Sequence, residues 1–334
     1  MTRLAETTRC PTCSAEIPFG AGTCRRCADW VACRRCGAAM GVDWRFCRYC
    51  GTARPPLGTA PAPPGGLSGL AREPHSDLRT RVGAAAAPSE PVPWGWIDLL
   101  KVVGLFLVLG IVAVILLFVL HAVFRSQLDA LLPTLRAWGL SGKLTGILLL
   151  SAVFYGLLAL AIYLCIIRTY RLGLGALGFR PARLSSLILA VAAWPVVVII
   201  GGAATAIVSQ LFWGGQFSNP QTKDFSNAGA TRGVLSLLLM LLCLAVVVPI
   251  VEETLFRGLL FPLLGRRLPN VAAVPACAVI FASAHGIPVL IPMLFTVGLA
   301  LSLLFARTRS LYPGILLHGI QNAVFAVVIW SSFG

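Results

Sequence analysis

The sequence predicts an all-α polytopic membrane protein of about seven transmembrane helices, preceded by a small cysteine-rich head. Three observations carry that prediction. The 334-residue chain is 57% hydrophobic, with a mean hydropathy of +0.86. From about residue 97 to the end it returns repeatedly to apolar stretches near the roughly 20 residues an α-helix needs to cross a bilayer. Charge is also partitioned: seven of the twelve acids precede residue 94, leaving only Asp98, Asp129, Asp224, Glu252 and Glu253 in the apolar part.

Eight of the eleven cysteines form four C-x-x-C pairs: Cys10 with Cys13, Cys24 with Cys27, Cys33 with Cys36, and Cys47 with Cys50. Ten residues lie inside each half and five between halves. A C-x-x-C turn sets two thiolates on one side of a tetrahedral metal, and two such turns close a structural zinc site. A disulfide framework is the competing reading. It belongs to an oxidising compartment, and the first fifty residues are polar and cysteine-rich, without the basic patch and apolar core of a secretory signal. Residues 1–51 therefore read as a double zinc ribbon, a small N-terminal zinc-ribbon head holding two structural Zn2+ ions on the cytosolic side. The equal spacers favour consecutive ribbons, with a cross-braced pairing as the alternative. Gly37 and Gly51, each just after a C-x-x-C, suit the tight knuckle in which backbone amides point at sulfur. The head resembles a bacterial or archaeal double zinc ribbon.

Twelve arginines face seven acids over residues 1–94. Each zinc held by four thiolates adds about two negative charges, which removes most of that excess. Nucleic acid is thus disfavoured as a partner, and the ribbons are expected to bind an unidentified protein or to be purely structural. Residues 52–93 turn to Pro, Gly and Ala with few large apolar side chains, and read as a flexible linker that buries no core.

The transmembrane domain is expected over residues 94–334, with spans near 97–124, 145–168, 185–212, 233–264, 270–285, 288–306 and 311–331. Between the fifth and sixth, Gly286-Ile287-Pro288 can be a break inside the membrane instead of a loop. With a cytosolic N-terminus, the loops after the second, fourth and sixth spans share one side. They carry Arg168, Arg171, Arg180 and Arg183, then Arg266 and Arg267, then Arg307 and Arg309, as the positive-inside rule asks. Arg125, Arg136 and Lys143 fall on the other side, against Asp129. Scarce lysine beside abundant Arg, Ala, Gly and Pro points to a high-GC bacterial source, hence a bacterial cytoplasmic membrane. Cys165, Cys243 and Cys277 stand alone in apolar runs and read as small hydrophobes.

An ionisable side chain inside a membrane helix costs on the order of 2.5 kcal/mol or more, so the adjacent Glu252 and Glu253 mark a functional site. Pro249, just before them, frees a backbone carbonyl and bends the helix. Glu253 and Arg257 are four residues apart and can pair on one helix face, as Phe281 and His285, and His318 and Asn322, also share faces. At 1.5 Å per residue Glu252 lies roughly 18 Å from the cytosolic end of its span, His285 roughly 22 Å and His318 roughly 10 Å, which lets the three converge.

These segments, Glu252-Glu253-Thr-Leu-Phe-Arg257, Phe281-Ala-Ser-Ala-His285 and His318-Gly-Ile-Gln-Asn322, resemble in order and spacing the three motifs of the CPBP family of CAAX prenyl endopeptidases and bacteriocin-processing or self-immunity proteins. The likeness covers about residues 185–331. It implies an intramembrane endopeptidase cutting a membrane-associated peptide or lipidated protein near the cytosolic face. It implies further that Glu252 activates water, that His285 helps to hold that water, and that His318 with Asn322 stabilises the oxyanion. Glu253 and Arg257 are implied as organisers of the site. Two histidines and a glutamate can also ligate zinc, so a metal at the membrane site stays open, with the metal-free glutamate mechanism preferred. The alternative function is a non-catalytic immunity or scaffold protein of the same fold that binds a peptide or lipid.

Overall fold

Backbone in lipid has no water to pair with, so a long apolar run must satisfy its N–H and C=O groups within itself, and a helix does so. The computed structural model describes residues 7–9, 16–18, 92–138, 140–215 and 233–331. In the head, strands β1 (Thr7–Arg9) and β2 (Glu16–Pro18) pair antiparallel with Thr8 opposite Ile17. The eight cysteines expected to hold zinc, Cys10, Cys13, Cys24, Cys27, Cys33, Cys36, Cys47 and Cys50, lie outside the described residues, as does the linker up to residue 91.

The rest is helical: α1 (Trp96–Val123), α2 (Arg125–Ala137), α3 (Gly142–Arg168), α4 (Leu184–Trp213), α5 (Val234–Leu264), α6 (Asn270–Ala284), α7 (Pro288–Thr308) and α8 (Tyr312–Ser331). All but α2 and α6 are long and apolar enough to cross a membrane, so six of the seven expected spans are met by such helices. The expected fifth span falls short. At 15 residues, α6 reaches about 22 Å against a hydrocarbon core of about 30 Å. It stops because Gly286 turns left-handed at φ +67° and Pro288 opens the 3-10 turn that starts α7. The break expected at Gly286-Ile287-Pro288 is therefore present, and it leaves His285 at the tip of a short helix packed along α7. Helix α2 occupies a stretch that the expected spans leave as a connection. It has no buried residue and carries the exposed Arg125–Asp129 pair, 4.0 Å apart, so it has the polar and apolar faces of an interfacial helix.

Helix α5 is the hub, contributing to all three apolar clusters: Phe256, Leu260 and Phe261 against α6 and α7, Leu259 and Leu263 against α1 and α3, Met240 and Cys243 against α3 and α8. It is not a uniform α-helix. Widened π-helical turns span Leu241–Val247 and Thr254–Leu260, each ending within two residues of a proline, Pro249 and Pro262. A proline cannot donate its bond to the preceding turn and its ring crowds that turn's carbonyl, so the helix opens just ahead of it. Leu244 O, five residues before Pro249, is taken up from another helix, with Asn322 Nδ2 donating to it at 2.9 Å. Trp94 Nε1 donates to Leu259 O at 3.2 Å.

One end of the bundle gathers the arginine-rich loops. Leu311 N donates to Gly178 O at 2.8 Å, Ser310 Oγ donates to Arg180 O at 2.6 Å, and Arg266 Nη2 donates to Val92 O. The loops after α3, α5 and α7 are thus together, as the positive-inside reading requires. The segment leading from the head enters at the same end, where Trp94 is almost wholly buried. Nearby, Tyr170 donates to Asp98 Oδ2 at 2.8 Å, and burial together with that bond pushes its phenol up to about 12. Elsewhere the chain meets lipid: Ile97, Leu107 and Phe118 on α1 are exposed.

Candidate active site

The glutamates sit on the six α-helical residues Val248–Glu253 between the two widened turns. Neighbours on a helix point about 100° apart, and the two carboxylates face different surroundings. Glu253 faces inward. Its Oε1 accepts from Arg257 Nη1 at 2.8 Å and from His318 Nδ1 at 3.2 Å. Arg257 is 0% exposed and Glu253 1%, so each charge is held in the apolar interior by the other. The guanidinium also donates from Nη2 to Gly298 O at 3.1 Å and lies 4.6 Å from the Phe281 ring centroid. Gly298 is what lets that carbonyl come so near, since a Cβ there would stand 3.0 Å from the Ala278 backbone.

Glu252 faces a cavity of about 290 Å³ between α3, α5, α7 and α8. Its Oε1 accepts from Tyr155 Oη at 2.6 Å. Its Oε2 is buried with no hydrogen-bond partner among the described residues. That oxygen lies 4.0 Å from His285 Nε2 and 3.8 Å from His318 Nε2.

The far nitrogen of each imidazole fixes its protonation. His285 Nδ1 lies 2.8 Å from Phe281 O. A carbonyl only accepts, so Nδ1 carries the hydrogen and Nε2 of the neutral ring is an acceptor. His318 Nδ1 faces the Glu253 carboxylate and donates by the same logic, so its Nε2 can donate only when the ring is an imidazolium. With Glu252, Glu253 and Arg257 charged the cluster is one unit negative, and a proton on His318 makes it neutral. The gaps of 3.8 and 4.0 Å are too long for direct hydrogen bonds.

Among the described residues no group of three or more His, Cys, Asp or Glu is arranged to hold a metal ion. By chemistry alone Glu252, His285 and His318 would suit zinc with a water in the fourth place. For the head, eight thiolates in four C-x-x-C pairs, Cys10/Cys13, Cys24/Cys27, Cys33/Cys36 and Cys47/Cys50, are a donor set that fits two structural zincs.

All six membrane residues singled out in the sequence, Glu252, Glu253, Arg257, His285, His318 and Asn322, fall in this one region. Asn322 lines the cavity with one N–H spent on Leu244 O and the other free for a ligand. Sequence reasoning missed Tyr155 and Gln321. The first is one of four hydroxyls in α3, with Thr145, Ser151 and Tyr163; the second, on the His318 face of α8, accepts from Trp194 Nε1 at 2.9 Å. Polarity alone singles out neither.

Residues 234–324 match the family model described as Type II CAAX prenyl endopeptidase Rce1-like, and residues 10–51 match the double zinc ribbon. The first match contains all six motif residues, and α3 with Tyr155 lies outside it. The second contains all eight C-x-x-C cysteines, from Cys10 to Cys50. No curated protein and no solved structure matches the chain.

Proposed function

We propose that the protein is a multi-pass intramembrane endopeptidase that hydrolyses a peptide bond of a membrane-associated or lipidated substrate with Glu252 as general base. The observation that carries this reading is the unpartnered, buried Glu252 Oε2 facing the Nε2 atoms of His285 and His318 across gaps of 4.0 and 3.8 Å. A water reaching Oε2 from the cavity donates one hydrogen to Glu252 Oε2 and the other to His285 Nε2. Its lone pairs are free to attack.

Attack on the peptide carbonyl carbon transfers the water's proton to Glu252 as the C–O bond forms. Negative charge then builds on the carbonyl oxygen, where His318 Nε2–H and the free Asn322 N–H are the available donors. Glu252 returns the proton to the amide nitrogen, the C–N bond breaks, and an amine and a carboxylic acid leave. Glu253 and Arg257 act one layer back. Their ion pair holds His318 Nδ1 and so aims Nε2 at the reacting atoms. The apolar cavity walls, among them Leu244, Met293 and Phe325, suit apolar substrate side chains beside the scissile bond.

The positive-inside pattern supports a cytosolic side for the arginine-rich end, and with it for the zinc-ribbon head of residues 1–51 and the linker of 52–93. The head's two zincs serve structure, and its partner is a protein.

The test is a comparison of new protein N-termini in membranes from cells carrying the wild-type chain or Glu252→Gln. Peptide ends present only with the wild type support hydrolysis and identify the substrate. Identical sets of ends, with the cellular phenotype intact in Glu252→Gln, would instead support the non-catalytic immunity or scaffold reading.

A further inference from the structure

We infer that Tyr155 is a positioning residue for Glu252, so that the active site includes α3, a helix outside the segment matched to the endopeptidase family. The inference rests on the peptidase reading and adds a side chain to it.

A carboxylate on a helix can turn about its side-chain bonds and present either oxygen to either imidazole. Here it has one fixed donor. The Tyr155 hydroxyl, 97 residues away in sequence, lies 2.6 Å from Glu252 Oε1. That is a short, charge-assisted O–H···O bond, and it is the one hydrogen bond the Glu252 side chain makes among the described residues. With Oε1 so engaged, Oε2 is left toward the gap between His285 and His318. The phenol thus decides which oxygen is the base and where its lone pair points. Without it, both oxygens are unpaired in a half-apolar cavity, and the carboxylate is free to swing onto an imidazole.

The phenol is itself held. Its ring meets Phe154 edge-on at 5.2 Å, and Phe154 meets Phe106 of α1 edge-on at 4.7 Å. The hydroxyl reaches the base across the cavity that both residues line.

The test uses the full-length protein in lipid vesicles and a quenched-fluorescence peptide copied from a Glu252-dependent cleavage site found as above. Four chains are compared: wild type, Glu252→Gln, Tyr155→Phe and Tyr163→Phe, the last removing an exposed hydroxyl about two turns along the same helix. Tyr155→Phe is expected to lower kcat roughly 10- to 100-fold, the range for losing an outer-layer partner that orients a reactive group, with KM within about twofold and the melting temperature little changed. Tyr163→Phe is expected to keep wild-type kcat. A Tyr155→Phe chain with wild-type kcat beside an inactive Glu252→Gln overturns the role of Tyr155 and leaves the peptidase standing. An equal loss in Tyr163→Phe, or a Tyr155→Phe chain that fails to fold, also overturns it, because a hydroxyl that only orients Glu252 is dispensable for assembly. Absence of any Glu252-dependent cleavage removes the peptidase reading and this inference together.

Discussion

Removing one partner of the Glu253–Arg257 pair should be far more damaging than removing both. Arg257 is 0% exposed, Glu253 is 1% exposed, and their atoms are 2.8 Å apart. Glu253→Ala strips the counter-charge from a guanidinium that cannot reach water, leaving Gly298 O and the Phe281 ring as its company. A buried charge orphaned in this way is worth about 3–5 kcal/mol of destabilisation. Arg257→Met alone leaves the Glu253 carboxylate with only His318, a loss of similar size. In the double variant, Glu253→Ala with Arg257→Met, both charges are gone and the methionine fills much of the space, so most of the stability should return. Activity should not, because His318 Nδ1 has lost its acceptor. The assay is equilibrium unfolding in mixed micelles, read by tryptophan fluorescence, beside peptide cleavage by the same four chains. A double variant as unstable as the sum of the singles, or a Glu253→Ala chain within about 1 kcal/mol of wild type, refutes the reasoning.

Trp94→Ala removes a side chain 1% exposed together with its bond to Leu259 O, and should destabilise the membrane domain by about 3–5 kcal/mol in the same unfolding assay. Gly298→Ala puts a Cβ about 3.0 Å from Ala278 Cα; the resulting separation of α6 from α7 should be worth about 1–3 kcal/mol and should lower cleavage by moving the carbonyl that holds Arg257. A chain starting at Pro91 keeps Val92 and Trp94 but lacks every ribbon cysteine, so a chelator acts on it only through the membrane site. Its cleavage activity is expected to survive chelation, and loss of activity restored by added zinc would overturn the metal-free mechanism.

Membrane spans are legible because lipid imposes one rule on every residue, and six of the seven expected segments are matched by helices with ends within a few residues of the expected bounds. The candidate site is legible for a different reason. Charged and imidazole side chains are so costly in lipid that Glu252, Glu253, His285 and His318 stand out against their surroundings. What stayed hidden has little hydropathy signal. Tyr155 belongs to an apolar run and declares itself only through its partner 97 residues on. The 15-residue length of α6 depends on where Gly286 and Pro288 stop it, and an apolar run continues on both sides of that stop. The amphipathic α2 was masked because an interfacial helix is half polar and reads as a loop when only apolar length is counted. Pro249 did signal a local opening of α5, but nothing in the sequence said that the opening would be a widened turn, or that Pro262 would produce a second.

The two openings bear on why two adjacent glutamates are present at all. A single carboxylate could not both turn inward to Arg257 and His318 and face the cavity. The roughly 100° between neighbouring helix positions divides the tasks: Glu253 turns to Arg257 and His318, and Glu252 turns to the cavity. Holding both in register needs α5 to stay regular over Val248–Glu253 while meeting α3, α7 and α8 on different sides, and the widened turns before Pro249 and Pro262 confine the irregularity to either side of the pair. The exchange Glu252→Asp tests this division. It keeps the charge but withdraws the carboxylate by about one C–C bond, so it should leave folding near wild type while breaking the reach to Tyr155 and to the water. Glu253→Asp should do the reverse, weakening the Arg257 pair and stability before it affects the base. If the two exchanges behave alike in unfolding and in cleavage, the glutamates share one role and the division is wrong.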